Sequence, residues 1–230
     1  MPQTNEINID VIKQVARALG DLNSRVVYVG GAVVSLYIDD PAADEARPTH
    51  DIDLSLEITS QGELENLRQQ LASKKFTQSA EDTVMCRFRY EGIPVDVMAT
   101  EEIGWAPANR WFRPGFEHLQ TLELEPGLQV RILSVAYFLA SKFEAYNDRG
   151  AGEPRTSKDF EDIVYVLDNH SNLVNEIITA PGEVKAFLTE RFNELLSDEM
   201  EEAVLSHLNP STQAERFELL NDKLNTIVAT

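Results

Sequence analysis

The 230-residue chain carries 39 acidic against 20 basic residues, a formal net charge of −19, with 43% hydrophobic and 26% charged residues. That composition excludes disorder as the main state, and the length suffices to bury a core without disulfides or a structural metal. So acidic a chain repels polyanions on average, which excludes sequence-independent DNA binding. The longest uncharged apolar run, Ile132 to Ser141, is about half of what a membrane span needs.

Residues Ile7 to Leu19 predict an amphipathic helix, with Ile7, Val11, Val15 and Leu19 on one stripe and Gly20 placed to end it. Arg25 to Val29 is a β-branched run that reads as a buried strand. It leads through Gly30-Gly31 into an apolar helical segment, Ala32 to Tyr37. Asp39 to Thr49, with Pro41 and Pro48, reads as a loop. Asp51 to Glu57 alternates with period two and predicts a strand. Gln61 to Lys74 predicts a charged helix. Val84 to Tyr90 and Ile93 to Ala99 predict a hairpin about Glu91-Gly92. Trp105 to Phe116 has no clean period. Leu119 to Glu123 and Leu128 to Ile132 predict a second hairpin about Pro126-Gly127. From Ser134 onward the pattern is helical: Val135 to Asn147, a loop over Gly150 to Thr156, Ser157 to Leu167, then three or four more helices. The expected organisation is an α/β part over residues 1–133 and a helical part over residues 134–230.

Glu6 and Asp10 near the start, with no apolar core between them, argue against a signal peptide. The single cysteine, Cys86, cannot form an internal disulfide, and no Cys/His cluster suggests zinc, so the expected location is cytoplasmic. Twelve of the twenty bases lie between Arg68 and Lys158 and only four follow, so an anionic substrate is expected to meet the middle of the chain.

The most informative residues are Asp51 and Asp53. On a strand, residues two apart face one side, so their carboxylates lie close together and repel unless a cation sits between them. A hard divalent ion suits carboxylate oxygen; the alternative is a solvated acidic edge. Asp96 stands alone among β-branched neighbours in Val95-Asp96-Val97. It reads either as a third metal-binding carboxylate or as the partner of Arg87 or Arg89 across the hairpin. Three acids from two strands could hold two divalent ions for phosphoryl transfer. Gly30-Gly31 closes a strand and opens a helix, where backbone amides can meet an anion, although an ordinary tight turn reads the same way. Trp105, Trp111 and Phe112 could stack a base or pack internally. Arg110 and Arg113 could meet RNA phosphates or pair with acids.

Together, Val29-Gly30-Gly31-Ala32, Asp51-Ile52-Asp53-Leu54 and Val95-Asp96-Val97 resemble the signature of the nucleotidyltransferase superfamily that includes DNA polymerase β. Within it they resemble the minimal, AbiEii-like nucleotidyltransferases, many of them toxins of bacterial toxin–antitoxin or abortive-infection pairs. Phe138 to Ala145 and Ser157 to Ile163 are similar to that family's helical half, so the resemblance spans about residues 25–170. It implies an α+β nucleotidyltransferase fold, a mixed sheet flanked by helices and followed by a helical part. It implies that Gly30, Gly31 and Ser35 face an NTP triphosphate. Asp51 and Asp53 would bind Mg²⁺ (or Mn²⁺), and Asp96 would share a metal and help activate an acceptor hydroxyl. Lys142 would reach the phosphates, with Lys158 and Asp159 lining the same cleft. One departure is the nineteen residues between Gly31 and Asp51, a longer spacing than is usual in the superfamily.

The activity so implied is transfer of a nucleoside monophosphate from an NTP, ATP among the candidates, to a hydroxyl acceptor in RNA, protein or a small molecule. This is chemistry of the EC 2.7.7 type, in a protein with a possible antitoxin partner. A non-catalytic nucleotide sensor or partner-binding protein on the same fold is the alternative, with metal-dependent hydrolysis of NTP without an acceptor as a third reading.

Overall fold

The computed structural model describes residues 4–149 and 153–230, with side chains from residue 8 onward. The first three residues of the Gly150 to Thr156 loop, and the side chain of Ile7, therefore lie outside the described residues. The chain divides into two units. Residues 1–35 and 45–134 form a sheet unit, and residues 36–44 and 135–230 form a helical unit.

The sheet unit opens with α1 (Thr4–Leu19), which ends at Gly20, where φ is +55°. Six strands follow: β1 (Val26–Val29), β2 (Ile52–Leu56), β3 (Arg87–Tyr90), β4 (Ile93–Ala99), β5 (Leu119–Glu125) and β6 (Leu128–Leu133). They form one mixed sheet in the order β3-β4-β2-β1-β6-β5. All four residues of β1 are buried. Full burial of each valine there contributes about 1.5–3 kcal/mol, which fixes this strand at the centre of the sheet.

Between β2 and the parallel β4 lies α2 (Gln61–Ser73), which buries Leu64, Leu67 and Leu71. Ser60 caps it by accepting from the Glu63 amide at 3.2 Å. The β3–β4 hairpin turns at Glu91 (φ +48°) and Gly92 (φ +88°). Two consecutive positive φ values make the two-residue turn that suits strand twist, and this locks Arg87 opposite Asp96. After β4 the aperiodic aromatic stretch forms isolated bridges and the short α3 (Phe112–Gly115).

The helical unit contains α4 (Val135–Asp148), α5 (Lys158–Asn169), α6 (Leu173–Ile178), α7 (Gly182–Leu195), α8 (Asp198–Leu205) and α9 (Gln213–Val228). The first nine residues of α4 are all buried, so this helix runs through the unit's core. Ser157 caps α5 by accepting from the Phe160 amide at 3.3 Å. Lys223 of α9 donates to the carbonyls of Leu167, Asp168 and His170 at 2.8–3.3 Å, satisfying the orphan acceptors at the end of α5.

The Asp39 to Thr49 loop forms no regular element, as its sequence predicts, but its first part has a definite place. Asp39 accepts from the backbone and hydroxyl of Ser171, Asp40 pairs with Arg216 at 3.3 Å, and Asp44 accepts from Asn209 at 2.6 Å. These bonds tie residues 36–44 into the helical unit. The Ser171 bonds hold the Asp39 carboxyl below its usual pKa. No described helix is long and apolar enough to cross a membrane.

Candidate active site

Register brings the acidic residues together. Arg87 on β3 pairs with Asp96 on β4, Asp96 pairs with Asp53 on β2, and Asp53 pairs with Val29 on β1. Residues directly opposite in a sheet share a face, so Arg87, Asp96 and Asp53 form one row across three strands. Asp51 lies just ahead of β2, not within it.

The side chains use that row closely. Arg87 Nε donates to Asp96 Oδ1 at 2.7 Å, and Arg87 Nη2 donates to Asp96 Oδ2 at 2.7 Å and to Asp51 Oδ2 at 3.2 Å. A charge-assisted, two-pronged contact of this kind is among the stronger hydrogen-bonded pairings proteins make. The Asp96 hydrogen bonds, with the fields of Asp96 and Asp51, raise the Arg87 pKa further above an already high value, so the guanidinium is a permanent cation. The Asp51 side chain is 43% exposed, against 14% for Asp96. Of these two acids, Asp51 is the one solvent reaches freely.

The two glycines lie against charged side chains. Gly30 has φ +72° and the Asp53 carboxylate lies directly against it, where a Cβ would overlap Oδ2. Gly31 faces the Arg47 guanidinium, whose Nη2 would stand 2.5 Å from a Cβ there. Each glycine therefore makes room for a charged side chain. The segment after them, Gly31–Tyr37, is a 3-10 helix rather than an α-helix. Its Ser35 Oγ is buried with no hydrogen-bond partner.

The donor set of Asp51, Asp53 and Asp96 suits a hard divalent cation in its chemistry. Its arrangement suits one less fully. Both oxygens of Asp96 already accept from Arg87, and among the described residues no group of three or more His, Cys, Asp or Glu side chains is placed to hold a metal ion. Asp51 and Asp53 share the oxygen chemistry such an ion takes, while both oxygens of Asp96 accept from the arginine.

In the helical unit, Lys142 is buried. Its Nζ donates to Asp162 Oδ2 at 2.6 Å and Asp159 Oδ1 at 3.2 Å, while Arg149 donates to Asp159 Oδ2 at 2.6 Å. The side chains of Lys142, Asp159 and Asp162 are 6%, 5% and 1% exposed. Asp159 and Asp162, three apart on α5, share the face that meets Lys142. Lys158, at the first position of α5, is exposed.

The aromatic stretch packs internally. Trp111 and Phe112 are each 3% exposed, so neither offers a face to a base. Arg110 lies over the Trp111 ring at 4.9 Å, and Arg113 pairs with Glu101. Trp105 packs against Phe88 with ring centroids 5.6 Å apart. His50 is exposed, whereas His170 bonds the Tyr37 carbonyl at 2.6 Å inside the helical unit. Cys86 is buried, and burial together with nearby Asp96 pushes its thiol up to about 11.

Sequence reading placed Arg87 only as one of two possible partners for Asp96, and it missed Arg47. Counting back from the two-residue turn at Glu91-Gly92 would have chosen Arg87 over Arg89, since that turn sets Arg89 opposite Pro94. No local signal marks Arg47, because its neighbour Gly31 is brought to it by the fold.

A model of the family described as nucleotidyl transferase AbiEii toxin, type IV toxin–antitoxin system, matches residues 15–225. Among solved structures, the chain is similar to an antigenic nucleotidyltransferase-like protein from Paracoccidioides brasiliensis. The two share 18% identity and a TM-score of 0.53 over 94% of this chain and 100% of that one. At that identity the likeness concerns the fold. A search of curated proteins finds no match.

Proposed function

Because the chain belongs to the AbiEii nucleotidyltransferase toxin family of type IV toxin–antitoxin systems, we propose that it is a metal-dependent enzyme that moves a nucleoside monophosphate from an NTP to a hydroxyl acceptor. The observation that supports this most directly is the row Asp96–Asp53 beside Gly30, with Asp51 two residues before Asp53, just ahead of the strand. Carboxylates concentrated at one strand end, next to a glycine that admits them, suit cation-assisted phosphoryl transfer better than a structural role.

In this reading Asp51 and Asp53 hold Mg²⁺ or Mn²⁺, which when bound neutralises charge on the transferring phosphate. Ser35 Oγ and the amides of Gly30 and Gly31 receive the triphosphate. Arg47, fixed beside Gly31, adds positive charge there. Asp96, next to Asp53, orients the acceptor hydroxyl. The acceptor oxygen bonds the α-phosphorus as the bond to pyrophosphate breaks, pyrophosphate leaves with the electron pair, and the hydroxyl proton is lost through the carboxylate edge to solvent. The fold's whole contribution is placement and charge compensation.

Of the three residues that the resemblance gives to the nucleotide, Lys142 and Asp159 are buried against each other and exposed Lys158 is the one this reading keeps. Exposed Lys158 is the clean test of that part: Lys158→Ala should raise the NTP concentration needed for half-maximal rate and leave folding untouched. An antitoxin partner follows from the family. The core experiment incubates the full chain with Mg²⁺, each labelled NTP and total cell RNA or protein. Label should enter an acceptor with wild type and not with Asp53→Asn. Incorporation that persists in Asp53→Asn would refute the assignment. A chain that binds nucleotide tightly without transferring it would be a sensor on the same fold.

A further inference from the structure

Arg87 faces two ways. Its Nε and Nη2 donate to Asp96 and Asp51. Those bonds leave Nη1, on the other side of the planar guanidinium, without an acceptor among the described residues. Arg87 also lines an open pocket of about 390 Å³, together with Arg68, Asp82, Val84, Met85 and Trp105. The carboxylate row and the pocket therefore meet at one guanidinium.

The lining suits a flat ligand rich in hydrogen-bond acceptors. Among the described residues three large apolar side chains are exposed, and two of them, Val84 and Met85, stand here. Trp105 is half-buried against Phe88 and adds ring surface. Arg68 stands 3.8 Å from Glu65 with its side chain half exposed. Asp82, the acid in the wall, accepts from Arg89 at 2.6 and 2.9 Å, so its charge is met within the protein. Aromatic and apolar surface takes a base by stacking, and a guanidinium fork matches phosphate oxygens. The volume lies low in the range of about 300–1,000 Å³ that small-ligand sites occupy, room for one nucleotide.

The place of the pocket says which nucleotide. In phosphoryl transfer the attacking and leaving oxygens lie roughly in line. Strand order puts Gly30, after β1, and Arg87, on β3, at opposite ends of the carboxylate row, three strand spacings or about 14 Å apart. Pyrophosphate leaving on the glycine side calls for an acceptor arriving from the Arg87 side. We propose that this pocket holds a nucleotide that presents the acceptor hydroxyl to Asp96. The acceptor is then a nucleotide, free or at the end of an RNA strand, and not a protein side chain. The inference rests on the nucleotidyltransferase reading and supplies its second substrate.

Tryptophan fluorescence of the full chain reports the pocket directly, because Trp105 lines it and Trp111 is buried. Adenosine monophosphate or a short single-stranded RNA should quench it, with RNA alone doing so if the acceptor is a strand end. Arg68→Ala and Met85→Asp change exposed side chains outside the core. Arg68→Ala should weaken the quenching about ten-fold, the scale of one charge-assisted hydrogen bond, and Met85→Asp, which adds an anion, at least as much. In transfer assays with Mg²⁺ and labelled NTP, both changes should raise the acceptor concentration for half-maximal rate and leave that for NTP where it was. Absence of quenching by both probes, quenching that neither substitution weakens, or label entering protein would each overturn this inference and leave the transferase reading intact. No transfer to any acceptor would sink the transferase reading, and the acceptor role of the pocket with it.

Discussion

The sheet unit and the helical unit each hold a cation shared by two carboxylates, with Arg149 added in the second, and the two clusters differ in burial. At the strand end, Arg87 serves Asp96 and Asp51, the latter with a side chain 43% exposed. In the helical unit, Lys142 serves Asp162 and Asp159 with all three side chains almost wholly enclosed. The same charges do different work in the two settings. An enclosed ion pair is bound to its partners because any lone member would be stranded in a poor dielectric. An open pair can exchange partners with solvent, metal or substrate at modest cost. The open cluster is therefore the one that can trade partners, and the enclosed cluster holds α4 to α5.

The largest test of that contrast is Asp162→Ala, which leaves buried Lys142 short of its 2.6 Å partner. Breaking a buried pair costs about 3–5 kcal/mol, so urea unfolding of the full chain should shift by that amount. The double variant Lys142→Met with Asp162→Leu should recover most of the loss, since Asp159 keeps Arg149. Failure to recover would mean the cluster does more than hold two helices together.

At the open site the expected loss is in rate. Asp53→Asn should lower nucleotide transfer by about 10²–10³-fold, the scale seen when one group aimed at developing charge is removed. Its melting temperature should stay close to that of wild type. A large drop in stability with a small drop in rate would reverse the roles assigned to the two clusters.

Gly30→Ala sits between these effects. It forces a side chain into positive φ and into the Asp53 carboxylate, which should cost about 1–3 kcal/mol and displace the acid, so rate falls with stability. Gly92→Ala has φ +88° with nothing within 4 Å. It should show the backbone cost alone, about 1–2 kcal/mol, with transfer unchanged.

The smallest effect is in pH. The Cys86 thiol is raised from its usual value of 9.0 to about 11 by burial and by Asp96. Between these values the unfolded chain has lost this proton and the folded chain retains it. Stability should therefore fall as pH rises from about 9 through about 11. Cys86→Ala should flatten that slope, as read by denaturant midpoints across the range.

Much of this protein was legible in its sequence because the signals are local. Period-two alternation and β-branching marked β2 and β4, and the Glu91-Gly92 pair marked the hairpin, each within a few residues of chain. Gly20 and Ser157 marked a helix end and a helix start by their own conformational and hydrogen-bonding preferences. The carboxylates Asp51, Asp53 and Asp96 stood out because acids are costly among apolar strand residues.

The fold alone decided who meets whom. Parallel pairing of β2 with β4 put Asp53 beside Asp96, and the hairpin put Arg87 across from Asp96, choosing between the two arginines that the sequence left open. Lys142 looked like a surface lysine or a phosphate ligand, and packing of α4 on α5 enclosed it with two acids. Gly30 and Gly31 announced a tight turn, but only tertiary structure brought Asp53 and Arg47 against them. The physical reason is common to all of these. Periodicity and turn chemistry act over a few bonds, whereas burial and charge partners depend on residues tens of positions apart, whose approach is set by strand order and helix packing.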